Sequence, residues 1–214
     1  VFNLNDYRDF LFDTRCVGFF DPPITLKSGR PGHWYVNMRS ALNSQASKRM
    51  LARFVYDFAG DLELQTGTFL GVPEGATPLG EACNDLIDYK DPSAVPAIVL
   101  RGGKKVHGDP LNRYSVGEIR PGIHVVLVED VSTTGGSSME YILRLQEIGV
   151  VIDHVISCVS RFERRDRGRT VADVLERDYH VRWTPMIDAR DLLPEAVRRL
   201  NPSEGLVRDI EAYY

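Results

Sequence analysis

Residues Val125 to Ser137 read Val-Val-Leu-Val-Glu-Asp-Val-Ser-Thr-Thr-Gly-Gly-Ser. The four leading apolar residues form a short continuous run, rich in β-branched side chains. Such a run predicts a strand buried on both faces, as in a parallel sheet. Glu129 and Asp130 follow at once, and beyond Val131 every residue from Ser132 to Ser137 is small. Met139, Ile142, Leu143, Leu145 and Ile148 then recur at roughly helical spacing, with Glu140, Arg144 and Glu147 between them. The order strand, acid pair, small loop, helix puts two carboxylates at the carboxyl end of a strand, where open α/β sheets bind ligands. The loop can turn several backbone N–H groups toward one anion, and the helix N-terminus adds the positive end of its dipole. Small side chains let a phosphate approach the backbone. Two adjacent carboxylates suit vicinal hydroxyls, or hydroxyls that share a metal ion.

Neither of the commoner phosphate loops is present. One would need a lysine after the loop glycine, the other a G-x-G-x-x-G spacing. A plain N-capped helix after a buried strand accounts for the Ser and Thr residues, but not for an acid pair at a strand end.

The chain has 214 residues, 43% of them hydrophobic. That suits one α/β domain over 1–214 with a small appended lobe. The net charge of −4 argues against general binding to nucleic acid or an anionic membrane. No apolar run approaches the roughly 18 residues of a membrane helix. The opening VFNLNDYRDF carries charges and lacks the apolar segment of a secretory signal. Without an initiator Met the chain reads as processed or trimmed. Cys16, Cys83 and Cys158 form no C-x-x-C, suit a reducing cytoplasm and give no metal site.

Elsewhere, residues from about Asn5 to Cys16 read as a helix. Val17 to Phe20 and His33 to Met38 read as strands of a hairpin-like unit joined through Ser-Gly-Arg-Pro. Ser47 to Ala59 reads as an amphipathic helix. Thr68 to Val72 reads as a strand, followed by a second small-residue loop, Pro73 to Pro78, and a helix from Leu79 to about Ile87. That unit would set a second ligand-facing loop beside the first. Val95 to Leu100 is a further apolar strand. It leads into Arg101-Gly102-Gly103-Lys104-Lys105-Val106-His107-Gly108, a glycine-rich basic loop suited to a polyanion. Ile152 to Val159 reads as a strand ending in the charged stretch from Ser160 to Arg169. Val171 to Leu175 reads as helical, His180 to Thr184 as an edge-like strand, and Asp191 to Leu200 as a terminal helix. His33, His124, His154 and His180 are scattered and read as structural or surface residues. The alternation of strands and helices predicts an α/β fold with a largely parallel sheet.

Several of these stretches together resemble the orotate phosphoribosyltransferases, a family of type I phosphoribosyltransferases. They are ITLKSGRPGHWYVN from Ile24, GVPEGATPLG from Gly71, RGGKKVHG from Arg101, VEDVSTTGGS from Val128, and VSRFER from Val159. The VEDVSTTGGS stretch is similar to the signature shared by all type I members. LKSGR and the basic loop ending in His-Gly narrow the resemblance to orotate. The chain departs from many relatives at Gly102, at Glu74-Gly75-Ala76, at Ser132 and at Ser160.

The resemblance implies a central, mostly parallel sheet flanked by helices, with residues 1 to about 40 forming a hood over the base. It implies transfer of ribose 5-phosphate from 5-phosphoribosyl-1-diphosphate to orotate, giving orotidine 5′-monophosphate and diphosphate in pyrimidine nucleotide biosynthesis. Glu129 and Asp130 would hold the ribose hydroxyls. Val131, Ser132, Thr133, Thr134, Gly135, Gly136 and Ser137 would enclose the phosphoribosyl group, with backbone amides from Thr133 to Ser137 on the 5-phosphate. Arg101, Lys104, Lys105 and His107 would bind the diphosphate, Lys105 and His107 taking part in catalysis with the acid pair. Lys27, Trp34, Tyr35, Thr133 and Arg161 would bind orotate. Magnesium would be held mainly by substrate, and the working unit would be a homodimer with shared active sites. A type I transferase for another base, and a non-catalytic sensor of phosphoribosyl diphosphate, are the competing readings.

Overall fold

The computed structural model describes residues 1–25, 31–64, 67–87, 96–103, 107, 113–162 and 168–212. The chain opens with α1 (Leu4–Asp13), whose N-cap Asn3 accepts from the backbone of Asn5 and Asp6. Tyr7 and Leu11, one helical turn apart, are its buried residues. The antiparallel hairpin β1 (Val17–Thr25) and β2 (Pro31–Val36) follows. The first strand runs further than Val17 to Phe20. Its register shifts between Phe19 and Ile24, so Pro22 and Pro23 sit where the ladder needs no N–H donor. The Ser-Gly-Arg-Pro turn begins outside the described residues.

A short 3-10 helix (Met38–Leu42) leads to α2 (Gln45–Asp61), then β3 (Phe69–Gly71) and α3 (Thr77–Asn84). The apolar stretch near residue 100 yields only β4 (Val99–Leu100), paired antiparallel with β5 (Ser115–Val116) outside the main sheet. Pro96 lacks a donor and its carbonyl accepts from Ile98 N–H, which bends the segment before it can extend as a longer strand.

The main sheet is built by β3, β6 (His124–Ser132), β7 (Val151–Ser160) and β8 (Arg182–Pro185), in the order β3-β6-β7-β8. Every pairing in it is parallel, and the His180–Thr184 segment forms its edge. The helices α4 (Gly136–Glu147), α5 (Val171–Tyr179), α6 (Ala189–Leu200) and α7 (Glu204–Glu211) complete the chain. The capping box of Thr170 and Asp173 fixes the start of α5. The sequence reading missed α7. Its signal was Ser203, which caps the helix by accepting from Leu206 N–H, with Leu206 and Ile210 on the buried face.

Val125, Val126, Leu127 and Val128 are all fully buried, and the alternation of the strand explains why. Val126 and Val128 enter a core built with α1, β2, α2, α3 and α6. Val125 and Leu127 enter a second core with α4 and α5. With both faces covered, a continuous apolar run is what the position requires. Each such side chain contributes roughly 1.5–3 kcal/mol relative to exposure. Tyr7 ties the N-terminal helix to the sheet, its hydroxyl donating to Cys158 O at 3.0 Å. Among the described residues no helix is long and apolar enough to cross a membrane.

Candidate active site

The carboxyl ends of β3 and β6 open into a cleft of about 800 Å³. One wall runs from Glu129 to Val131 at the end of β6 and on through Thr133 to Ser137. A second is the β3–α3 loop at Val72, Pro73 and Gly75. The hairpin covers a third side through Ile24, Thr25, Tyr35 and the residues just after β2. The second small-residue loop therefore stands beside the first, as the sequence predicts.

The acid pair is not beyond the strand but inside it. β6 continues to Ser132 because Val131 and Ser132 pair with Val159 and Ser160 of β7. Glu129 is buried and Asp130 half-buried, and both line the cleft. Asp130 Oδ1 accepts from Val131 N–H at 2.8 Å. Gly75 makes the close approach on the other side. A Cβ there would stand 2.0 Å from Asp130 Oδ2, so glycine lets the second loop reach the acid pair without pushing that carboxylate aside.

The small loop enters α4 through Gly135, the N-cap, at φ +72°. A Cβ on Gly135 would lie 2.7 Å from Val171 Cγ1, so both conformation and space call for glycine. This N-cap carries no side chain to hydrogen-bond the first turn, unlike those of α1, α5 and α7. The start of α4 faces the cleft with Gly136, Ser137 and Glu140. A helix start of that kind is an anion site.

Of the residues singled out from sequence, Tyr35, Glu129, Asp130, Val131, Thr133, Thr134, Gly135, Gly136, Ser137 and Arg161 line the cleft. Ser132 is fully buried, and its carbonyl accepts from Arg161 N–H at 2.8 Å. Trp34 is buried beneath the site rather than on its wall, and the Arg161 guanidinium stacks over its ring at 5.0 Å. Arg101 is half-buried, with Nε donating to Ser115 O at 3.0 Å, and His107 is exposed. Neither is among the residues that line the cleft. Lys27, Lys104 and Lys105 lie outside the described residues.

Asn37, Arg39 and Glu140 line the cleft without having been singled out. The signal for the first two was in the hairpin. Trp34, Val36 and Met38 are buried, while Tyr35, Asn37 and Arg39 are exposed. This alternation, apolar against polar, carries on the period of the strand.

Among the described residues no three His, Cys, Asp or Glu side chains are grouped to hold a metal ion. The carboxylates of the cleft are Glu129, Asp130 and Glu140. Such a donor set fits a hydrated hard cation bound partly through substrate oxygens, not a closed protein cage. Cys16, Cys83 and Cys158 are free and buried, and burial pushes each thiol above its ordinary range.

A parallel sheet with an acid pair at the end of its central strand, a small loop on a helix start and a hairpin hood defines the type I phosphoribosyltransferase class. No family model matches the chain. The orotate phosphoribosyltransferase of Bradyrhizobium diazoefficiens is 34% identical over 143 residues, covering 65% of this chain and 74% of that one. The orotate phosphoribosyltransferase of a Nostoc species is 30% identical over 161 residues, covering 74% of this chain and 75% of its own. Among solved structures, Mycobacterium tuberculosis H37Rv orotate phosphoribosyltransferase in complex with Fe(III) dicitrate matches with a TM-score of 0.68 at 25% identity. That match covers 87% of this chain and 98% of the other. The chain belongs to the orotate phosphoribosyltransferase family, and is by that membership a pentosyltransferase.

Proposed function

We propose that the cleft binds 5-phosphoribosyl-1-diphosphate and orotate and joins them to orotidine 5′-monophosphate with release of diphosphate, a step of pyrimidine nucleotide biosynthesis. The observation that carries this reading is the convergence of an acid pair, an anion-binding helix start and a buried arginine on one cleft. Glu129 and Asp130 bind the ribose hydroxyls and favour positive charge as it develops at the anomeric carbon. Thr133 to Ser137 hold the 5-phosphate through backbone amides, aided by the α4 dipole. Arg161 faces the carboxylate of orotate as a planar, permanently charged fork. Tyr35, Lys27 and Thr133 complete the base side, with Trp34 acting through Arg161.

Magnesium, when bound with the substrate, neutralises diphosphate charge. The chain's share is to offer Glu129 and Asp130 to the hydroxyls that accompany it. Arg101, Lys104, Lys105 and His107 of the basic loop attract the leaving diphosphate through their charge. We further propose a homodimer in which this loop serves the partner's site, and a cytoplasmic setting, which the three buried free thiols suit. Diphosphate release with orotate, compared with release with neutral purines and with uracil, tests the base assignment. Release that orotate supports and the neutral bases do not is the expected result.

A further inference from the structure

Arg161 is followed by Phe162, whose φ is +54°. A bulky residue adopts that left-handed conformation only where its surroundings hold it. The surroundings are specific. Phe162 N–H donates to Ser160 Oγ at 3.1 Å. Its half-buried ring lies against the first core, and its outer face is covered by the Arg190 guanidinium, 4.0 Å from the ring centroid. Arg190 is itself fixed. Its Nη2 donates to Asp188 Oδ2 at 2.6 Å, and its Nε lies 3.2 Å from each Asp188 oxygen. Asp188 is anchored to the sheet end by a bridge to Ser160. The cap of α6 needs only the Arg190 backbone, whose N–H donates to Asp188 Oδ1 at 2.8 Å. The guanidinium is not needed for the cap, and its ion pair with Asp188 holds it over the ring.

We propose that Asp188 and Arg190 form a latch that clamps Phe162 in its left-handed turn and thereby aims Arg161 between the Trp34 ring and the cleft. Phe162 and Arg190 are positioning residues for the base-binding arginine, and they set affinity for the anionic base. The functional half of this statement rests on the reading of the cleft given above. With Phe162 unclamped, the backbone next to Arg161 loses a constraint, and the guanidinium is held less firmly over Trp34. The 5-phosphate loop and the acid pair are positioned by β6 and α4, so the latch bears first on the base.

The test uses Arg190→Gln, which keeps the backbone cap of α6 while removing the cation, together with Phe162→Leu and Phe162→Tyr. With orotate and phosphoribosyl diphosphate as substrates, Arg190→Gln and Phe162→Leu should each raise the orotate KM roughly fivefold. The phosphoribosyl diphosphate KM and kcat should stay unchanged. Phe162→Tyr keeps the aromatic face and should behave as the unmodified enzyme. A second readout needs no substrate. The chain has two tryptophans, Trp34 and Trp183, so a Trp183→Phe background reports on Trp34 alone. There Arg161→Ala defines the emission of an unstacked ring, and Arg190→Gln should move the emission in the same direction. Unchanged emission with unchanged orotate KM, or an equal rise in KM for both substrates, overturns the latch. If the unmodified protein consumes no orotate, the reading of the cleft fails. The Trp34 emission then decides the latch by itself: a shift supports it and no shift overturns it.

Discussion

Asp130 has little room to move. Val131 N–H holds one oxygen at 2.8 Å, and the Gly75 backbone closes on the other, where a Cβ would come within 2.0 Å. A carboxylate held this way pays no reorganisation when charge develops beside it. Asp130→Asn should therefore lower kcat by roughly 10²- to 10³-fold, with little change in melting temperature. Gly75→Ala should give a milder form of the same signature, because its methyl group must displace that carboxylate. Near-normal kcat for Asp130→Asn in a steady-state assay would remove the acid from the chemistry. Glu129 and Asp130 were legible in the sequence because acids beside a buried strand have few structural uses. Gly75 was not, since the spacing of a loop does not reveal which carboxylate it approaches. Trp34 was legible only as part of the hood. Its place beneath Arg161 arises from a contact between residues 127 positions apart, which no local pattern encodes.

The strands show the same division. β6 could be read directly because each of its faces meets a separate core. Its extension through the acid pair to Ser132 depends on the partner β7, so an apolar run alone stops it too early. The antiparallel pairing of β4 with β5 was likewise hidden, because a two-residue strand leaves no periodicity to detect. His154 on β7 gives a test at this level. Burial, reinforced by nearby Arg182, lowers its pKa to about 4, while Nε2 meets Thr184 Oγ1 at 2.9 Å. A histidine whose folded value lies below its unfolded value of about 6.5 leaves the folded chain with fewer bound protons. Its contribution is full above pH ~6.5 and is lost as pH falls through that value toward 4. Urea unfolding should show stability declining over this window by on the order of 2–3 kcal/mol from this group. His154→Gln should remove that part of the slope. Parallel curves for the two proteins would mean that His154 is not held neutral in the fold.

At the scale of the whole molecule, the cleft is bounded by segments far apart in the chain: the hood from the first 40 residues, the β6–α4 loop, and Arg161 beyond β7. If the basic loop serves the partner's site, Lys105→Ala and Asp130→Ala subunits should complement after exchange. Each mixed dimer then holds one site with both defects and one with neither, and random mixing restores roughly a quarter of the activity. No recovery after verified exchange would assign the loop to its own subunit. The claim beneath all of these is that the cleft joins orotate to phosphoribosyl diphosphate, and near-ultraviolet absorbance of orotate follows that reaction directly. With magnesium and phosphoribosyl diphosphate present, the account predicts a loss of orotate absorbance that requires both the enzyme and the diphosphate substrate. Steady absorbance with orotate, alongside diphosphate release when another base is supplied, would contradict it.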